Sequence, residues 1–313
     1  MIPEEIFNKR ILISSLNWGM GHVARCIPLI RKLNNNENNI WIACSENQKS
    51  VYLNYFPNIN YLNLNDFPFK FKGKGYFALD IFFKFPHLCL KLIKEKKQVN
   101  EWVKEFDFDL IISDQRYSFR SNKAYSVFLT HQLTIPKFSF SFFFQKSHDY
   151  HLNKFNQIWI CDFENSLLAG DLSNSENFSN VKYIGPLSRF DNICLDSKKG
   201  IDSTLILSGP KPYHKFLLEY FLKKARQNTQ IHIITPFSIS EEFYNRFPIL
   251  NQVHVNLSNN WSQCDAVIRD SKMITSYSGY STLMDLYYLK IKSDLIATPG
   301  QKEQIYLHKL HVK

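Results

Sequence analysis

The sequence predicts an α/β protein of two doubly wound, Rossmann-like domains that face each other across a cleft. Short apolar runs alternate with helical stretches, and the runs fall into two series separated by a polar segment. The chain of 313 residues is also longer than one ordinary domain. Hydrophobic residues make up 44% of the chain, which is enough for two buried cores.

The apolar runs predict the strands of two parallel sheets. The first series comprises ILISS (11–15), IWIAC (40–44), DLIIS (109–113), SVFLT (126–130) and QIWIC (157–161). The second comprises TLILSG (204–209), IHIIT (231–235), QVHVN (252–256), KMITS (272–276) and DLIAT (294–298). A Gly-Pro break and a charged, polar stretch between the two series are typical of an interdomain linker. We therefore predict an N-terminal domain over 1–185 and a C-terminal domain over 186–313.

The cysteines and the apolar segments indicate the cellular compartment of the protein. Six scattered cysteines without a C-x-x-C pair are typical of a reduced, cytoplasmic compartment. The first ten residues, MIPEEIFNKR, contain no apolar core of a signal peptide. No stretch reaches the roughly 18 apolar residues that span a bilayer. We expect neither a signal peptide nor a transmembrane helix.

A formal net charge of +10 indicates an anionic partner such as nucleic acid, a phosphorylated substrate or a lipid surface. Residues 67–97 interleave lysines (Lys70, Lys72, Lys74, Lys84, Lys91, Lys94, Lys96, Lys97) with phenylalanines (Phe67, Phe69, Phe71, Phe77, Phe82, Phe83, Phe85). Such a mixture is typical of a surface that rests on anionic lipid headgroups, and the aromatic run at 137–146 favours the same interpretation. A packed aromatic core with a solvated lysine face is the alternative. We expect peripheral docking on the inner face of the cell membrane and no nucleic-acid partner.

Polar residues follow the strands of the first series, where ligands of open α/β sheets bind. The loop after the first strand holds Gly19, Gly21 and His22, and Asp114 and His131 each follow a later strand. Three titratable side chains at one cleft are the arrangement that removes a proton from an attacking hydroxyl. A structural role is the alternative for each of them.

The same loop satisfies the loose dinucleotide fingerprint G-x-G-x-x-A, and Glu46 follows the second strand. A nicotinamide-dependent oxidoreductase is therefore a rival hypothesis. Pro28 counts against it, because a proline early in the crossover helix would remove a backbone donor and delay the start of the helix to about Ile27.

His148 and His151 lie one helical turn apart and can chelate a metal ion. No third ligand is evident in the sequence, so we expect these histidines to be solvated and predict no metal site.

Three stretches of the second series place small or polar residues between a strand and a helix. In LSGPKPY, Ser208 and Gly209 leave backbone N–H groups that can hold a phosphate. In SYSGYSTLMDL, Asp285 lies one or two turns into the helix, where its carboxylate can reach a ribose diol. TPGQKEQ presents Glu303 and Gln304 at the start of a helix. The structural alternatives for the three stretches are, in the same order, a turn, a helix cap and an exposed pair of side chains.

Taken in order, GMGHVARCIPL, YIGPLSR, LILSGP, SGYSTLMDL and TPGQKEQ resemble the motif series of the GT-B glycosyltransferases. The resemblance is greatest to family 28, which includes the N-acetylglucosaminyltransferase of lipid II synthesis and the plant galactolipid synthases, and it covers nearly the whole chain. It implies an acceptor-binding N-terminal domain and a C-terminal domain that binds a nucleotide sugar, usually a UDP-sugar. It further implies inverting hexosyl transfer to a lipid-linked or glycolipid acceptor, with no metal ion or other cofactor.

The resemblance also implies roles for individual residues. His22 matches the histidine of the glycine–histidine loop, as the base or a phosphate contact, and Asp114 is the other candidate base. Arg189 matches an arginine that contacts the diphosphate. The remaining matches are Gly19 and Gly21 in the loop, Ser208 and Gly209 at the donor phosphates, Ser278, Gly279 and Tyr280 beside the diphosphate, Asp285 at the ribose, and Glu303 and Gln304 at the sugar hydroxyls.

The sequence departs from the family pattern in two places. Trp18 and Met20 stand where the family has a glycine-rich loop. These bulky side chains make the acceptor specificity of the family an unsafe guide to that of this chain. The chain ends at Lys313, where relatives continue with a helical segment that crosses back onto the N-terminal domain. A nucleotide-sugar epimerase of the same fold, and a non-catalytic protein that binds nucleotide sugars or membranes, are therefore alternatives.

Overall fold

The computed structural model describes residues 1–65, 85–136, 141–191, 199–209 and 211–312. Within these ranges the strands form one sheet of seven and one sheet of five, and all strand pairs are parallel. Two doubly wound sheets covered by helices confirm the predicted fold class.

The first sheet has the strand order β3-β2-β1-β4-β5-β6-β7. Its strands are β1 (Arg10–Ser15), β2 (Asn39–Cys44), β3 (Asn60–Asn63), β4 (Leu110–Asp114), β5 (Tyr125–Thr130), β6 (Gln157–Ile160) and β7 (Val181–Tyr183). The helices of this half are α1 (Met20–Asn34), α2 (Glu46–Tyr52), α3 (Phe85–Phe106) and α4 (Ser141–Leu152). Short 3-10 helices lie at Pro3–Glu5 and Gly170–Ser173.

The second sheet has the strand order β10-β9-β8-β11-β12. Its strands are β8 (Ser203–Ile206), β9 (Ile231–Thr235), β10 (His254–Leu257), β11 (Met273–Tyr277) and β12 (Lys292–Ile296). The helices are α5 (His214–Lys224), α6 (Glu241–Arg246), α7 (Trp261–Arg269), α8 (Tyr280–Leu289) and α9 (Lys302–His311), with 3-10 helices at Lys211–Tyr213 and Pro248–Gln252. The predicted domain boundary near Gly185 falls between the last strand of the first sheet and β8, and it stays a prediction.

Each sheet has one point where the strand order reverses, between β1 and β4 in the first and between β8 and β11 in the second. Ligands of doubly wound folds bind beyond the carboxyl ends of the strands at such points. The loops that follow β1, β4, β8 and β11 are therefore the places where the fold itself positions a site.

Helix α1 begins at Met20, so the predicted delay of its start to about Ile27 is wrong. Pro28 lies in the helix interior, where a proline removes one backbone hydrogen bond and costs about 3 kcal/mol. The helix persists because an apolar stretch around this proline is fully or nearly fully buried, and each such Leu or Ile contributes about 1.5–3 kcal/mol. The buried apolar neighbours are Val23, Ala24, Cys26, Ile27, Leu29, Ile30 and Leu33.

The two halves share one apolar core at their junction. Leu283, Met284 and Leu307 from the second half belong to the same buried cluster as the apolar residues of α1 and β1. The tyrosine at the start of α8, Tyr280, belongs to it too and donates a hydrogen bond to the main-chain oxygen of Cys161 at 2.6 Å. The two halves thus pack directly against each other, with α1 against α8.

None of the helices in the described ranges combines the length and the apolar character needed to cross a membrane. The sequence predicts membrane docking by segments 67–97 and 137–146. Residues 67–84 and 137–140 of these segments lie outside the described residues. Only α3 and α4 therefore bear on the predicted membrane docking.

Candidate active site

The candidate site is built around the end of β1 and the first turns of α1. Asp114 is the last residue of β4 and pairs in register with Ser15, the last residue of β1. His22 and Arg25 lie three residues apart on α1, so both side chains leave the same face of the helix. The fold thereby directs a histidine and an arginine onto one buried carboxylate.

The Asp114 carboxylate lies within hydrogen-bond distance of both side chains. His22 Nδ1 lies 3.1 Å from Asp114 Oδ2. Arg25 donates from Nε to the same oxygen at 3.0 Å and from Nη2 to Oδ1. This two-point contact fixes the carboxylate in the plane of the guanidinium group, because the rigid fork of arginine matches a carboxylate.

The contacts continue from Arg25 into the second half of the chain. Arg25 Nη1 donates to Nδ1 of His131, the residue after β5, at 2.8 Å. Since Nδ1 accepts this bond, the proton of the neutral ring is on Nε2, which donates to Glu303 Oε1 at 3.0 Å. The ring of His131 also stacks on Tyr280 at 4.1 Å between centroids. We call this set the histidine cluster: His22, Arg25, Asp114, His131 and Glu303.

Burial and charge set the protonation states in the histidine cluster. Burial lowers the pKa of His22 below 6.5, and the Arg25 charge adds to this, while Asp114 acts in the opposite direction. Burial alone would raise the pKa of Asp114, but the charges and hydrogen bonds of Arg25 and His22 outweigh it and hold that pKa at about 2. Burial likewise opposes ionisation of Glu303, yet His131 holds the pKa of Glu303 below its usual value. His22 is therefore a neutral base between ionised groups.

Gly21 permits the close approach of the two domains beside this cluster. A Cβ atom at Gly21 would lie 2.5 Å from Ser281 Oγ in the first turn of α8, closer than non-bonded atoms come. At Gly19 an added Cβ would meet nothing within 4 Å. The second glycine of the loop is thus a packing requirement, and the first is not.

The predicted donor-phosphate residues lie at the reversal point of the second sheet. Gly209, after β8, adopts a positive φ of 80°, which favours glycine, and its carbonyl accepts a hydrogen bond from His214 Nε2 at 2.9 Å. Ser208 Oγ lies 3.4 Å from Ser276 Oγ at the end of β11. Gly279 is the N-cap of α8, so the free N–H groups of this helix open toward the same region.

Ser278 and Gln304 hold the neighbouring loops together. Ser278 Oγ donates to the main-chain oxygen of Gln304 at 3.0 Å, and Gln304 Oε1 accepts from the main-chain nitrogen of Thr298 at 3.0 Å. Two buried polar atoms nearby, Thr298 Oγ1 and His214 Nδ1, have no hydrogen-bond partner among the described residues. Unpaired buried polar atoms are rare in folded proteins and call for a partner such as a ligand or water.

Arg189 and Asp285, both predicted to contact the donor, lie together in a second ionic group. Arg189 donates from Nη1 to Asp285 Oδ2 at 2.9 Å and from Nε to Asp265 Oδ1 at 2.5 Å. Ser188 Oγ donates to Asp285 at 2.7 Å, and Tyr55 donates to Asp265 at 2.5 Å from the N-terminal half. Burial raises the pKa of Asp285 despite the Arg189 charge. We call this set the arginine cluster: Arg189, Asp265, Asp285, Ser188 and Tyr55.

The structure thus brings four predicted residues into the histidine cluster and two into the arginine cluster. The residues predicted from the sequence did not include Arg25, Ser188, Asp265 or Tyr55. Arg25 had a signal, since it stands three residues after His22 on a predicted helix. Asp265 and Tyr55 had none, because their contact joins positions 210 residues apart.

Two other sequence-based hypotheses concern residues outside these clusters. Glu46, cited for a dinucleotide site, is an exposed residue in the first turn of α2. His148 is buried, so its predicted solvated state is wrong. Its Nε2 donates to the Gln132 carbonyl at 3.1 Å, and its Nδ1 accepts from Tyr117 at 2.7 Å. With both nitrogens engaged, His148 is a structural residue.

Comparison with known proteins identifies the class of fold. No protein-family model and no curated protein sequence matches the chain. Among solved structures, spinosyn rhamnosyltransferase SpnG complexed with thymidine diphosphate has a TM-score of 0.61 at 10% identity, over 96% of this chain and 89% of that one. A UDP-glucosyltransferase from Polygonum tinctorium capable of glucosylating indoxyl has 0.60 at 10%, over 96% and 82%. A putative UDP-N-acetylglucosamine 2-epimerase from Listeria monocytogenes has 0.60 at 9%, over 96% and 88%.

This similarity shows that the chain has the GT-B fold of these enzymes. At about 10% identity it shows the fold and not the family. Membership of family 28 stays a prediction.

Proposed function

We propose that the protein is a glycosyltransferase that moves a sugar from a nucleotide sugar, specifically a UDP-sugar, to an acceptor hydroxyl with inversion at the anomeric carbon. The observation that carries the proposal is the contact between His22 Nδ1 and the Asp114 carboxylate, at the reversal point of the first sheet. This pair faces the helix starts of the second half, where a donor diphosphate finds free N–H groups.

His22 fits the role of general base. When Nδ1 carries the ring proton, it donates to Asp114, and the lone pair of Nε2 is free to take the proton of an acceptor hydroxyl. Asp114 then stabilises the imidazolium that forms. Burial lowers the pKa of His22 below 6.5, so we expect the rate to fall only in acid, with a midpoint below pH 6.5.

Arg25 competes for the same ring nitrogen. Its Nη2 lies 2.9 Å from His22 Nδ1, and donation to that atom requires the other tautomer, in which Nε2 carries the proton. In that tautomer His22 cannot act as the base. Binding of the acceptor hydroxyl against Nε2 favours the active tautomer, because only that tautomer accepts its hydrogen bond.

The departing nucleoside diphosphate needs fixed dipoles and positive charge. The N-terminus of α8 at Gly279 and the loop at Ser208 and Gly209 supply backbone N–H groups. Thr298 Oγ1, on the loop after β12, and His214 Nδ1, in the first residue of α5, have no hydrogen-bond partner among the described residues and suit a ligand with polar groups. Arg189 contacts the diphosphate in our proposal only by exchanging one of its two carboxylate partners. Glu303 likewise leaves His131 in order to contact sugar hydroxyls.

The structural neighbours support a nucleotide-sugar donor. SpnG is a rhamnosyltransferase complexed with thymidine diphosphate, and the Polygonum tinctorium enzyme is a UDP-glucosyltransferase. We extend this donor class to the present chain because the loops at the reversal point of its second sheet offer backbone N–H groups to a diphosphate.

A lipid-linked or glycolipid acceptor and an anionic membrane surface complete the proposal. Leu90, Ile93, Lys94 and Lys97 recur at helical spacing on α3, and Leu90 and Ile93 are 59% and 67% exposed. Phe142–Phe144, at the start of α4, are exposed as well. An exposed face of apolar and basic residues suits an interface with anionic lipid better than it suits bulk water.

The donor is tested first by thermal unfolding with a panel of nucleotide sugars. A ligand at 100 times its Kd stabilises a protein by about 2.7 kcal/mol, so a true donor raises the Tm clearly. Transfer is then assayed with EDTA present, and the anomeric configuration of the product is assigned by NMR. A retained configuration, or activity that strictly requires Mg²⁺, contradicts the proposal.

Docking is tested by sedimentation with vesicles. Wild-type protein should sediment with vesicles that contain anionic lipid, and added salt should release part of it. The double variant Lys94→Glu/Lys97→Glu should stay in the supernatant, whereas Leu257→Ser, which removes an exposed apolar residue on β10, should sediment as wild type does. Equal binding to neutral and anionic vesicles, or none to either, would restore the interpretation of a solvated lysine face.

A nucleotide-sugar epimerase is the second candidate function. The hydrogen-bonded His131 and Glu303 form a second acid–base pair beside His22, and one structural neighbour is a putative UDP-N-acetylglucosamine 2-epimerase. An epimerase needs no acceptor, so NMR of the donor sugar incubated with protein alone separates the two activities. Donor binding without either reaction identifies a non-catalytic nucleotide-sugar-binding protein.

A further inference from the structure

Three cations from three elements of the N-terminal half meet at the amino ends of β5 and β6. Lys96 of α3 donates from Nζ to the main-chain oxygen of Arg120 at 2.6 Å. Arg120 donates from Nη1 to the main-chain oxygen of Lys154, in the turn before β6, at 3.4 Å. The same nitrogen donates to Asn122 Oδ1 at 3.1 Å. These contacts use only neutral acceptors. The Lys154 Nζ itself lies over the neutral Tyr150 ring, 3.6 Å from the ring centroid, so it too meets no opposite charge there.

No carboxylate in the described ranges forms an ion pair with Lys96, Arg120 or Lys154. The neighbouring Lys97, in contrast, lies 3.9 Å from Glu101. Burial, together with the charges of Arg120 and Lys154, lowers the pKa of Lys96 to about 8. The fold therefore maintains a repulsive group of like charges that an anion would relieve.

A surface pocket of about 400 Å³ lies beside these cations. Lys123 and Lys154 line it, and the side chains of Ser121, Asn122 and Asn156 add neutral hydrogen-bonding groups. Arg120 reaches the lining through its bonds to Asn122 and Lys154. The volume is within the range of small-molecule sites and exceeds what one small ion needs.

We propose that this pocket binds a phosphate monoester, with the dianion among Arg120, Lys123 and Lys154 and its organic group in the remaining volume. Arginine and lysine are the side chains that recognise phosphate, and two negative charges on one group relieve the repulsion among these side chains and the neighbouring Lys96 better than a single carboxylate does.

The pocket is distinct from the candidate active site. Tyr125 begins β5 and lines the pocket, whereas His131 follows the carboxyl end of the same strand. A strand of six residues at about 3.3 Å per residue places the two sites roughly 20 Å apart. Phosphate binding here and transfer at His22 can therefore fail or succeed independently.

The phosphate monoester has two sources, a soluble metabolite or the headgroup of phosphatidic acid in a membrane. Both present the same dianion, so the soluble probes are inorganic phosphate and glycerol 3-phosphate. The membrane probes are phosphatidylcholine vesicles with and without phosphatidic acid.

The experiment compares wild type with Lys154→Gln and with Lys223→Gln, which removes an exposed lysine on α5 in the other domain. Binding is followed at pH 8 by thermal unfolding and by ³¹P NMR, with sodium chloride at equal ionic strength as reference. We expect Lys154→Gln to weaken glycerol 3-phosphate binding at least tenfold and Lys223→Gln to leave it unchanged. Both variants should keep the wild-type response to nucleotide sugars.

The folded state of Lys154→Gln is checked by its melting temperature without phosphate, which should stay close to that of wild type, because the lost repulsion and the lost contact with the Tyr150 ring act in opposite directions. Binding of glycerol 3-phosphate with no effect of phosphatidic acid assigns a soluble ligand, and vesicle binding that glycerol 3-phosphate displaces assigns the headgroup. Either result supports the proposal. Stabilisation by phosphate no greater than by chloride, or an equal loss in both variants, overturns it.

Discussion

The histidine cluster and the arginine cluster both lie at the junction of the domains, yet they differ in what their members can exchange. The histidine cluster pairs Arg25 directly with Asp114 and adds two imidazole rings, one beside each of its two carboxylates. The arginine cluster places one guanidinium directly between two carboxylates. The two imidazole rings therefore give a proton alternative positions in the first cluster, whereas the arginine at the centre of the second keeps its proton at all accessible pH values.

We interpret this difference as a chemical role for the histidine cluster and an assembly role for the arginine cluster. In the histidine cluster, His22 Nδ1 lies within hydrogen-bond distance of both Asp114 and Arg25, and the tautomer that donates to Asp114 leaves the lone pair of Nε2 free for a proton. In the arginine cluster, the bond from Tyr55 to Asp265 ties the N-terminal half to the C-terminal half. We propose that the first cluster serves to move a proton, and that the second holds the two halves together and releases a cation for the donor.

The largest expected effect is on the reaction. Replacing His22→Gln removes the base and keeps a polar side chain of similar length, so we expect transfer to slow by about 10²–10⁴-fold, the usual contribution of general base catalysis. Thermal stabilisation by the nucleotide sugar should persist. His254→Gln, on the exposed strand β10, is the matched control and should transfer at the wild-type rate. Transfer by His22→Gln within tenfold of wild type would remove His22 from the mechanism.

The next effect compares the two clusters in stability. Asp114→Ala leaves the buried Arg25 guanidinium without its carboxylate, and breaking such a pair costs about 3–5 kcal/mol. Asp285→Ala leaves Arg189 paired with Asp265, so the loss should be about 1–2 kcal/mol. Urea unfolding of the three proteins measures both differences. Equal losses would mean that the clusters do not differ in the way we describe.

The contributions of Asp114 and Asp285 to the free energy of unfolding should change in opposite directions as the pH falls. The folded pKa of Asp114 is about 2 against its ordinary 3.8, so its contribution of about 2 kcal/mol is complete above pH 3.8 and is lost as the pH falls toward 2. The folded pKa of Asp285 is raised, so protonation of this group favours the folded state as the pH falls. Between pH 5 and 3, Asp114→Asn should make the decline of stability shallower and Asp285→Asn should make it steeper. Urea unfolding at both pH values tests this, and parallel profiles would contradict it.

The strands that carry the site could be predicted because buried parallel strands are continuous apolar runs. β3 and β7 escaped prediction because they are short edge strands, NYLN and VKY, whose residues are at most half-buried. Pro28 misled the prediction of α1, because local backbone chemistry favours a break and only the tertiary burial of its neighbours overrides it.

The site was predictable as far as topology dictates it. Asp114 and His131 end neighbouring strands, so their proximity follows from the fold class. The partners of Arg189 and Glu303 did not follow, because contacts such as the one between His131 and Glu303 span 172 residues and depend on how the domains close. Hydrophobic patterns with a period of 3.6 or 2 residues predict helices and strands, and they contain no information on how two domains pack against each other.

The smallest expected effect tests the closure itself, on which both clusters depend. Gly21→Ala places a methyl group 2.5 Å from Ser281 Oγ and 3.3 Å from Ser281 Cβ, so α1 and α8 must separate slightly or Ser281 must rotate. We expect a loss of about 1 kcal/mol, at the low end of overpacking costs because the hydroxyl can turn away. Gly19→Ala, which meets nothing within 4 Å and has an extended backbone, is the matched control and should unfold as wild type does. The double variant Gly21→Ala/Ser281→Gly should recover stability relative to Gly21→Ala, since it removes the opposing side chain. If Gly21→Ala is as stable as Gly19→Ala, the two helices do not approach as closely in solution, and the contacts of the histidine cluster across the junction lose their support.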